Sequence, residues 1–283
     1  MSRKVTFQGN PLTLVGRALE VGMHAPDFHV ASPELKEVNL SQFAGKIKVI
    51  TSFPSIDTPV CDLQVKEFNK RAVHFSAEVV VVGISKDLPF ALKRFCQLNE
   101  ITNVVTLSDY KTSSCGINYG LLIKELNLLA RAVLIVDKKD TVRYIQVVDE
   151  LTHAPDYEDA LKNLEAVIKN PEAERTHILP FQCAPCEGGV PSLPKDKVQR
   201  LLAQHRLWQL VDDRKLVKEL SFKDFIEAKY FLDLIAVIAQ EQGHHPIITI
   251  NYNKVKITLT THAAGGLTDN DFIMAEIIDE LGV

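Results

Sequence analysis

"KVITSFPSIDTPVC", residues 48–61, runs from a short apolar segment through a proline turn to a cysteine. Its first six residues have the β-branched texture of a buried strand, and "EVVVVGIS" at 78–85 repeats that texture. Between the two, Cys61, Val65, Phe68, Ala72 and Phe75 recur at spacings of four and three, which is one face of a helix. Strand, turn, helix and strand in that order begin an α/β sheet domain. Pro54 ends the strand, and Thr58 stands three residues ahead of Cys61, where its hydroxyl can reach the sulfur.

The pattern continues with a helix near 88–99 and paired strands "RAVLIVD" and "VRYIQVV" joined by a "KKDT" turn. An amphipathic helix through Tyr157, Leu161, Leu164 and Ile168 closes this domain at residue 169. From 170 to 194, prolines and glycines interrupt every period, which reads as a linker. Residues 195–283 then spell helix, hairpin turning at two aspartates, long helix stopped by Gly243, hairpin turning at Asn253, and a helix after Thr268. That order predicts a smaller α+β domain with a four-stranded antiparallel sheet.

A chain of 283 residues is long enough for two separate cores. A net charge of −4 leaves no basic footprint for nucleic acid, and no apolar run is long enough to span a membrane. The five cysteines, Cys61, Cys96, Cys115, Cys183 and Cys186, are too few and too odd in number for a secreted disulfide scaffold. A cytoplasmic protein that uses thiols for chemistry is the expectation.

A free thiol is only a few per cent thiolate at neutral pH, and a helix N-terminus stabilises the anion through its unpaired N–H groups. Cys61 has that position. On position alone a small core side chain is the more ordinary reading of Cys61, and burial accounts for Cys96, beside Phe95 on an apolar stripe, about as well as chemistry does. The spacing Pro54, Thr58, Cys61 resembles the P-x-x-x-T-x-x-C signature of peroxiredoxins. "VTFQGNPLTLVG", "FAGKIKVITSFPSIDTPVC", "SKDLPFALKRFC" and "ARAVLIVD" together resemble the bacterial thiol peroxidases, atypical two-cysteine peroxiredoxins of thioredoxin-like fold, over residues 3–169.

The resemblance implies that Cys61 is the thiolate that attacks peroxide and becomes sulfenic acid. It also implies that Pro54 and Thr58 contact the peroxide, Arg131 supplies a cation, and Cys96 resolves the sulfenic acid as an intrachain disulfide. Thioredoxin would be the reductant and the chain would self-associate. Cys115 has no counterpart in the pattern. A disulfide exchanger without peroxidase activity is the neighbouring alternative, disfavoured because no C-x-x-C stands at Cys61.

In the second domain, "GHHP" at 243–246 sets two histidines side by side, with His262 further on. Three histidines suit zinc, but neighbours on an extended chain point to opposite faces, and no carboxylate or cysteine is placed to complete a shell. No metal is expected, and acid–base chemistry suits imidazole.

"GHHPIITINYNKVKITLTTHAAGGLTDND" is similar to pterin-4a-carbinolamine dehydratases, with Tyr252, His262 and Asp271 at family spacing. That likeness implies loss of water from a 4a-hydroxytetrahydropterin without a metal or redox cofactor. His244, His245 and His262 would share the acid and base roles, and Tyr252 and Asp271 would contact substrate. The family often carries an acid four before the first histidine, where this chain has Gln240 beside Glu241. Asp271 also stands three after Thr268 and can close a helix capping box. A non-catalytic dimerisation or regulatory module is the alternative for this domain. Cys183 and Cys186 fit a redox pair or half a metal site, and also a leader retained from a dehydratase ancestor.

Overall fold

The computed structural model describes residues 3–171, 182–185 and 190–282. It divides into two compact units, the division falling between residues 171 and 182.

The first unit opens with strands β1 (Arg3–Phe7) and β2 (Asn10–Val15), then β3 (Val30–Ala31) and β4 (Glu37–Val38). Next come β5 (Ile47–Ser52), helix α1 (Pro59–Ala72), β6 (Val79–Ser85), α2 (Pro89–Leu98) and β7 (Val104–Ser108). The unit ends with α3 (Ser114–Asn118), β8 (Leu122–Ile123), β9 (Leu128–Leu129), β10 (Ala132–Val136), β11 (Val142–Val147) and α4 (Tyr157–Lys169). Seven strands form one sheet in the order β11-β10-β5-β6-β7-β3-β4, with β5, β6 and β7 parallel.

Alternation along the strands builds a core on each face. Val133 and Ile135 of β10 join Ile47, Val81 and Phe68 on the face that holds Cys61. Leu134 and Val136 join Ile50, Val82 and Cys115 on the other. Cys61 and Cys115 therefore belong to different cores.

Several elements go beyond the sequence reading, the first hairpin and β7 among them. The β1–β2 hairpin turns on Gln8 and Gly9, both at positive φ (51° and 78°), which Gly9 adopts freely and Gln8 only at some cost. Strand β7, five residues long, inserts between α2 and β10 and pairs parallel to β6. Such a short run is indistinguishable from a loop until the neighbouring strand supplies its hydrogen bonds.

The second unit holds α5 (Lys195–Leu202), β12 (Gln209–Val211), β13 (Lys215–Ser221) and α6 (Phe225–Gln242). Strands β14 (Ile247–Asn251) and β15 (Lys254–Leu259) and helix α7 (Asp269–Glu280) complete it. Its sheet runs β12-β13-β15-β14, antiparallel throughout. Val255, Ile257 and Leu259 are buried, whereas Lys254 and Lys256 face out. Asp212 and Asp213 make their turn at positive φ, and Gly243 ends α6 at φ 62°.

Within the 170–194 segment, Cys183, Ala184 and Leu193 have hydrogen-bond partners in the second unit. The Cys183 N–H donates to Gln242 Oε1 at 2.8 Å, and the Asn270 side chain pairs with Ala184 in both directions at 2.9 and 2.7 Å. Leu193 N–H donates to Leu267 O at 2.7 Å. Side-chain amides supply the partners that irregular backbone needs, so Cys183 and Ala184 are held on the second unit. Cys186 lies outside the described residues.

Candidate active sites

Strand β5 ends at Ser52, and the buried Pro54 begins a turn that delivers the chain to α1. The turn is pinned from β6: Asp87 accepts from the Ser55 hydroxyl, the Ile56 N–H and the Ser85 hydroxyl, each at 2.7 Å. Thr58 is the N-cap residue of α1, followed by Pro59. Its hydroxyl does not cap the helix. It donates toward Ser55 O at 3.0 Å and Cys61 Sγ at 2.8 Å.

Cys61 lies in the first helical turn and is fully buried. Arg131, also buried, precedes β10 and reaches the sulfur with Nη2 at 3.4 Å. The same guanidinium donates to Leu151 O from Nε at 3.3 Å and Nη2 at 2.8 Å, and to Gln64 Oε1 from Nη1. Gln64 in turn donates to Thr51 Oγ1 and to Ser52 O at 3.2 Å.

Gln64 and the Leu151 carbonyl escape sequence reasoning. A signal for Gln64 exists: it is a polar residue three after Cys61 on the buried stripe of α1, and a buried amide must find partners. Nothing local marks Leu151.

Cys96 sits half-buried on α2, packed against the core that contains Cys61, with Sγ 3.2 Å from Thr106 Oγ1. Burial pushes its thiol pKa up, and the Thr106 contact offsets only part of that rise. Cys115 is buried on α3, where its N–H donates to Asp109 Oδ1 at 3.1 Å.

In the second unit, Gly243 releases the chain from α6 and His244 turns inward. It is buried, with Nε2 2.8 Å from Asp271 Oδ1. With the carboxylate as acceptor, the ring presents Nε2–H there. Asp271, fully buried, uses its other oxygen for the Thr261 hydroxyl and the Thr268 N–H, both at 2.8 Å. This carboxylate closes the α7 capping box and orients a histidine with different oxygens. Both oxygens are engaged by protein groups.

His245 is exposed, with Nε2 3.5 Å from Gln240 Oε1. His262 is exposed too, in a one-turn helix directly after Thr261. The three histidines thus divide into one oriented inward and two facing out. Tyr252 stands at the β14–β15 turn at φ 52° and is 65% exposed. Strand β14 lies between it and His245 in the chain. Among the described residues, no group of three or more His, Cys, Asp or Glu could hold a metal ion.

A parallel-centred sheet with a buried cysteine at the entrance of its first long helix defines a redoxin, and residues 20–161 match the Redoxin family model. Residues 191–281 match that of pterin 4 alpha carbinolamine dehydratase. The thiol peroxidase of Oceanobacillus iheyensis is 46% identical over 160 residues, which is 56% of this chain and 97% of that protein. That of Bacillus subtilis is 45% identical over 166 residues, 59% of this chain and 99% of that protein. A peroxiredoxin-like protein from Aquifex aeolicus superimposes with a TM-score of 0.55 at 41% identity, covering 58% of this chain and 98% of that one. The thiol peroxidase from Chromobacterium violaceum shares the fold at 19% identity, with a TM-score of 0.54 over 59% of this chain and 98% of that one. The chain belongs to the thiol peroxidase family of redoxins and carries a pterin carbinolamine dehydratase domain behind it.

Proposed function

We propose that the chain is a bifunctional enzyme, a thioredoxin-dependent peroxidase in residues 1–169 joined to a pterin dehydratase in 195–283. The observation that carries the first half is the sulfur of Cys61 held between Thr58 Oγ1 and Arg131 Nη2 at the start of α1. The Cys61 thiolate attacks the terminal oxygen of a hydroperoxide, the O–O bond breaks, and the alcohol or water leaves with a proton. Cys61 is left as sulfenic acid. Arg131 and Thr58 face the place where the peroxide oxygens carry developing negative charge. Cys96 then displaces hydroxide as water and forms the disulfide, and a thioredoxin dithiol takes over the bond and restores both thiols.

For the second half, the Asp271–His244 pair supports a role for His244 as an oriented base or acid, with His245 and His262 open to a bound pterin. Loss of the 4a-hydroxyl needs a proton delivered to oxygen and another removed from a ring nitrogen, which is imidazole chemistry without a redox step. The reading includes a cytoplasmic location and self-association, the latter checked by sedimentation of the full chain.

The test runs two assays on one full-length preparation: peroxide consumption coupled to thioredoxin, and dehydration of a 4a-hydroxytetrahydropterin. Activity in only one of them assigns the other unit a non-catalytic role.

A further inference from the structure

Glu150 gathers five donors on one carboxylate. Oε1 accepts from the Gln8 N–H at 3.0 Å, the Thr152 N–H at 3.1 Å and the Thr152 hydroxyl at 2.8 Å. Oε2 accepts from the Thr6 hydroxyl at 2.8 Å and the Gly9 N–H at 3.1 Å. Led by the Gly9 amide, these bonds hold its carboxyl well below the usual carboxylate range. The neighbouring backbone joins the same way: Thr6 N–H donates to Asp149 O at 2.6 Å, and Leu151 N–H to Thr6 O at 2.8 Å. The tip of the β1–β2 hairpin is thereby fastened to residues 149–152, more than a hundred positions away in sequence.

The residue after Glu150 is the one whose carbonyl receives Arg131. Leu151 O accepts two N–H groups of the guanidinium, one of which also meets Cys61 Sγ. A buried arginine has few places to rest, and a displacement of about 1 Å at a reacting group can cost on the order of a hundredfold in rate. We propose that Glu150 is a positioning residue for the peroxide site: by clamping the hairpin turn to residues 149–152, it sets the Leu151 carbonyl where Arg131 must rest to face Cys61. This rests on the reading of Cys61 as the reacting thiol. Glutamine does not replace the clamp, because its amide nitrogen cannot accept and would face either the Gly9 N–H or the Gln8 and Thr152 N–H groups; the Thr6 hydroxyl keeps Asp149 O at 3.1 Å as a second acceptor.

The experiment is a double-mutant cycle on the full chain. A single dose of hydrogen peroxide is given to reduced protein, and Cys61 oxidation is followed by mass spectrometry of quenched samples. Thermal melts verify folding of each variant. Glu150→Gln and Glu150→Ala should each slow oxidation about tenfold or more in the wild-type background. In an Arg131→Lys background the same changes should cost less than about twofold, because a group acting through Arg131 has nothing left to position. Thr6→Val, a milder lesion of the same clamp, should slow the step in the same background-dependent way and serves if the Glu150 variants fail to fold. An equal loss in both backgrounds, or no loss in wild type, overturns the proposal. If Arg131→Lys itself oxidises at the wild-type rate, the role of Arg131 fails and the clamp falls with it. If Arg131→Lys is slow while the clamp variants are not, only the clamp is refuted.

Discussion

Arg131 donates to Cys61 Sγ at 3.4 Å with the same nitrogen that donates to Leu151 O at 2.8 Å. One planar group thus meets the sulfur, a main-chain carbonyl and the Gln64 amide oxygen at once. A lysine carries a single ammonium on a flexible stem and cannot hold all three directions. Arg131→Lys should therefore lower the second-order rate with hydrogen peroxide at least about tenfold, or about 1.4 kcal/mol of barrier. A stopped-flow rate equal to wild type would contradict this.

The partners of Cys61 on its own turn are separable from the sulfur itself. Cys61→Ser should remove peroxide turnover, and residual activity above about a tenth of wild type would refute its role as nucleophile. Thr58→Val keeps the branched shape and deletes only the hydroxyl that lies 2.8 Å from Sγ. Its expected phenotype is slower oxidation of a thiol that is still present, and an unchanged rate constant would remove Thr58 from the mechanism.

Burial raises the Cys96 thiol pKa, so its nucleophilic thiolate is scarcer at neutral pH than that of an ordinary cysteine. After one equivalent of peroxide, disulfide formation should keep accelerating as pH rises past about 8.5, the value of a free thiol. A plateau reached below that pH would show that Cys96 titrates as an ordinary thiol during resolution. In Cys96→Ser, Cys61 should be oxidised once and no intrachain disulfide should form. Wild-type cycling with thioredoxin would mean that another cysteine resolves the intermediate.

Asp271→Asn separates two jobs of one side chain. An amide offers one acceptor oxygen, so either His244 or the Thr261 and Thr268 donors lose their partner. Pterin dehydration should fall at least about tenfold, and the second unit should lose about 1–2 kcal/mol. Peroxide reduction on the same sample should be spared, since the two units carry separate cores. Loss of both activities would indicate misfolding or coupling between units.

Asp279 tests the pH dependence of the second unit. Burial raises its pKa, but contacts with His205, Lys218 and Trp208 more than offset that and hold it below the usual value. A carboxyl depressed in the folded state contributes stability above its unfolded pKa, about 3.9, and that contribution fades as pH falls through the folded value. Asp279→Asn should cost about 2 kcal/mol near neutral pH, and the gap to wild type should close at acid pH. Melting curves whose gap stays constant down to pH 3 would contradict this.

What the sequence determined by itself is what neighbouring residues decide together. The stripe from Cys61 to Phe68, the Thr58 hydroxyl three residues ahead, the Gly243 helix stop and the two second-domain hairpins all depend on separations of a few residues. Helical and extended geometry fixes such distances before any tertiary contact forms. The capping box of Asp271 was legible for the same reason, but its hold on His244, 27 positions upstream, was not. Tyr252 shows the converse. Its spacing to the histidines is regular, but strand β14 and a turn at positive φ fix where it stands.

Only the tertiary structure decided which distant groups meet the sulfur. Arg131 lies 70 positions from Cys61, and the hairpin turn that fastens Glu150 lies more than 140 from it. The docking of Cys183 and Ala184 on Gln242 and Asn270 likewise spans 59 and 86 positions. Such partners are chosen by the packing of whole elements and by the need to satisfy each buried polar group. No periodicity in the chain encodes that choice.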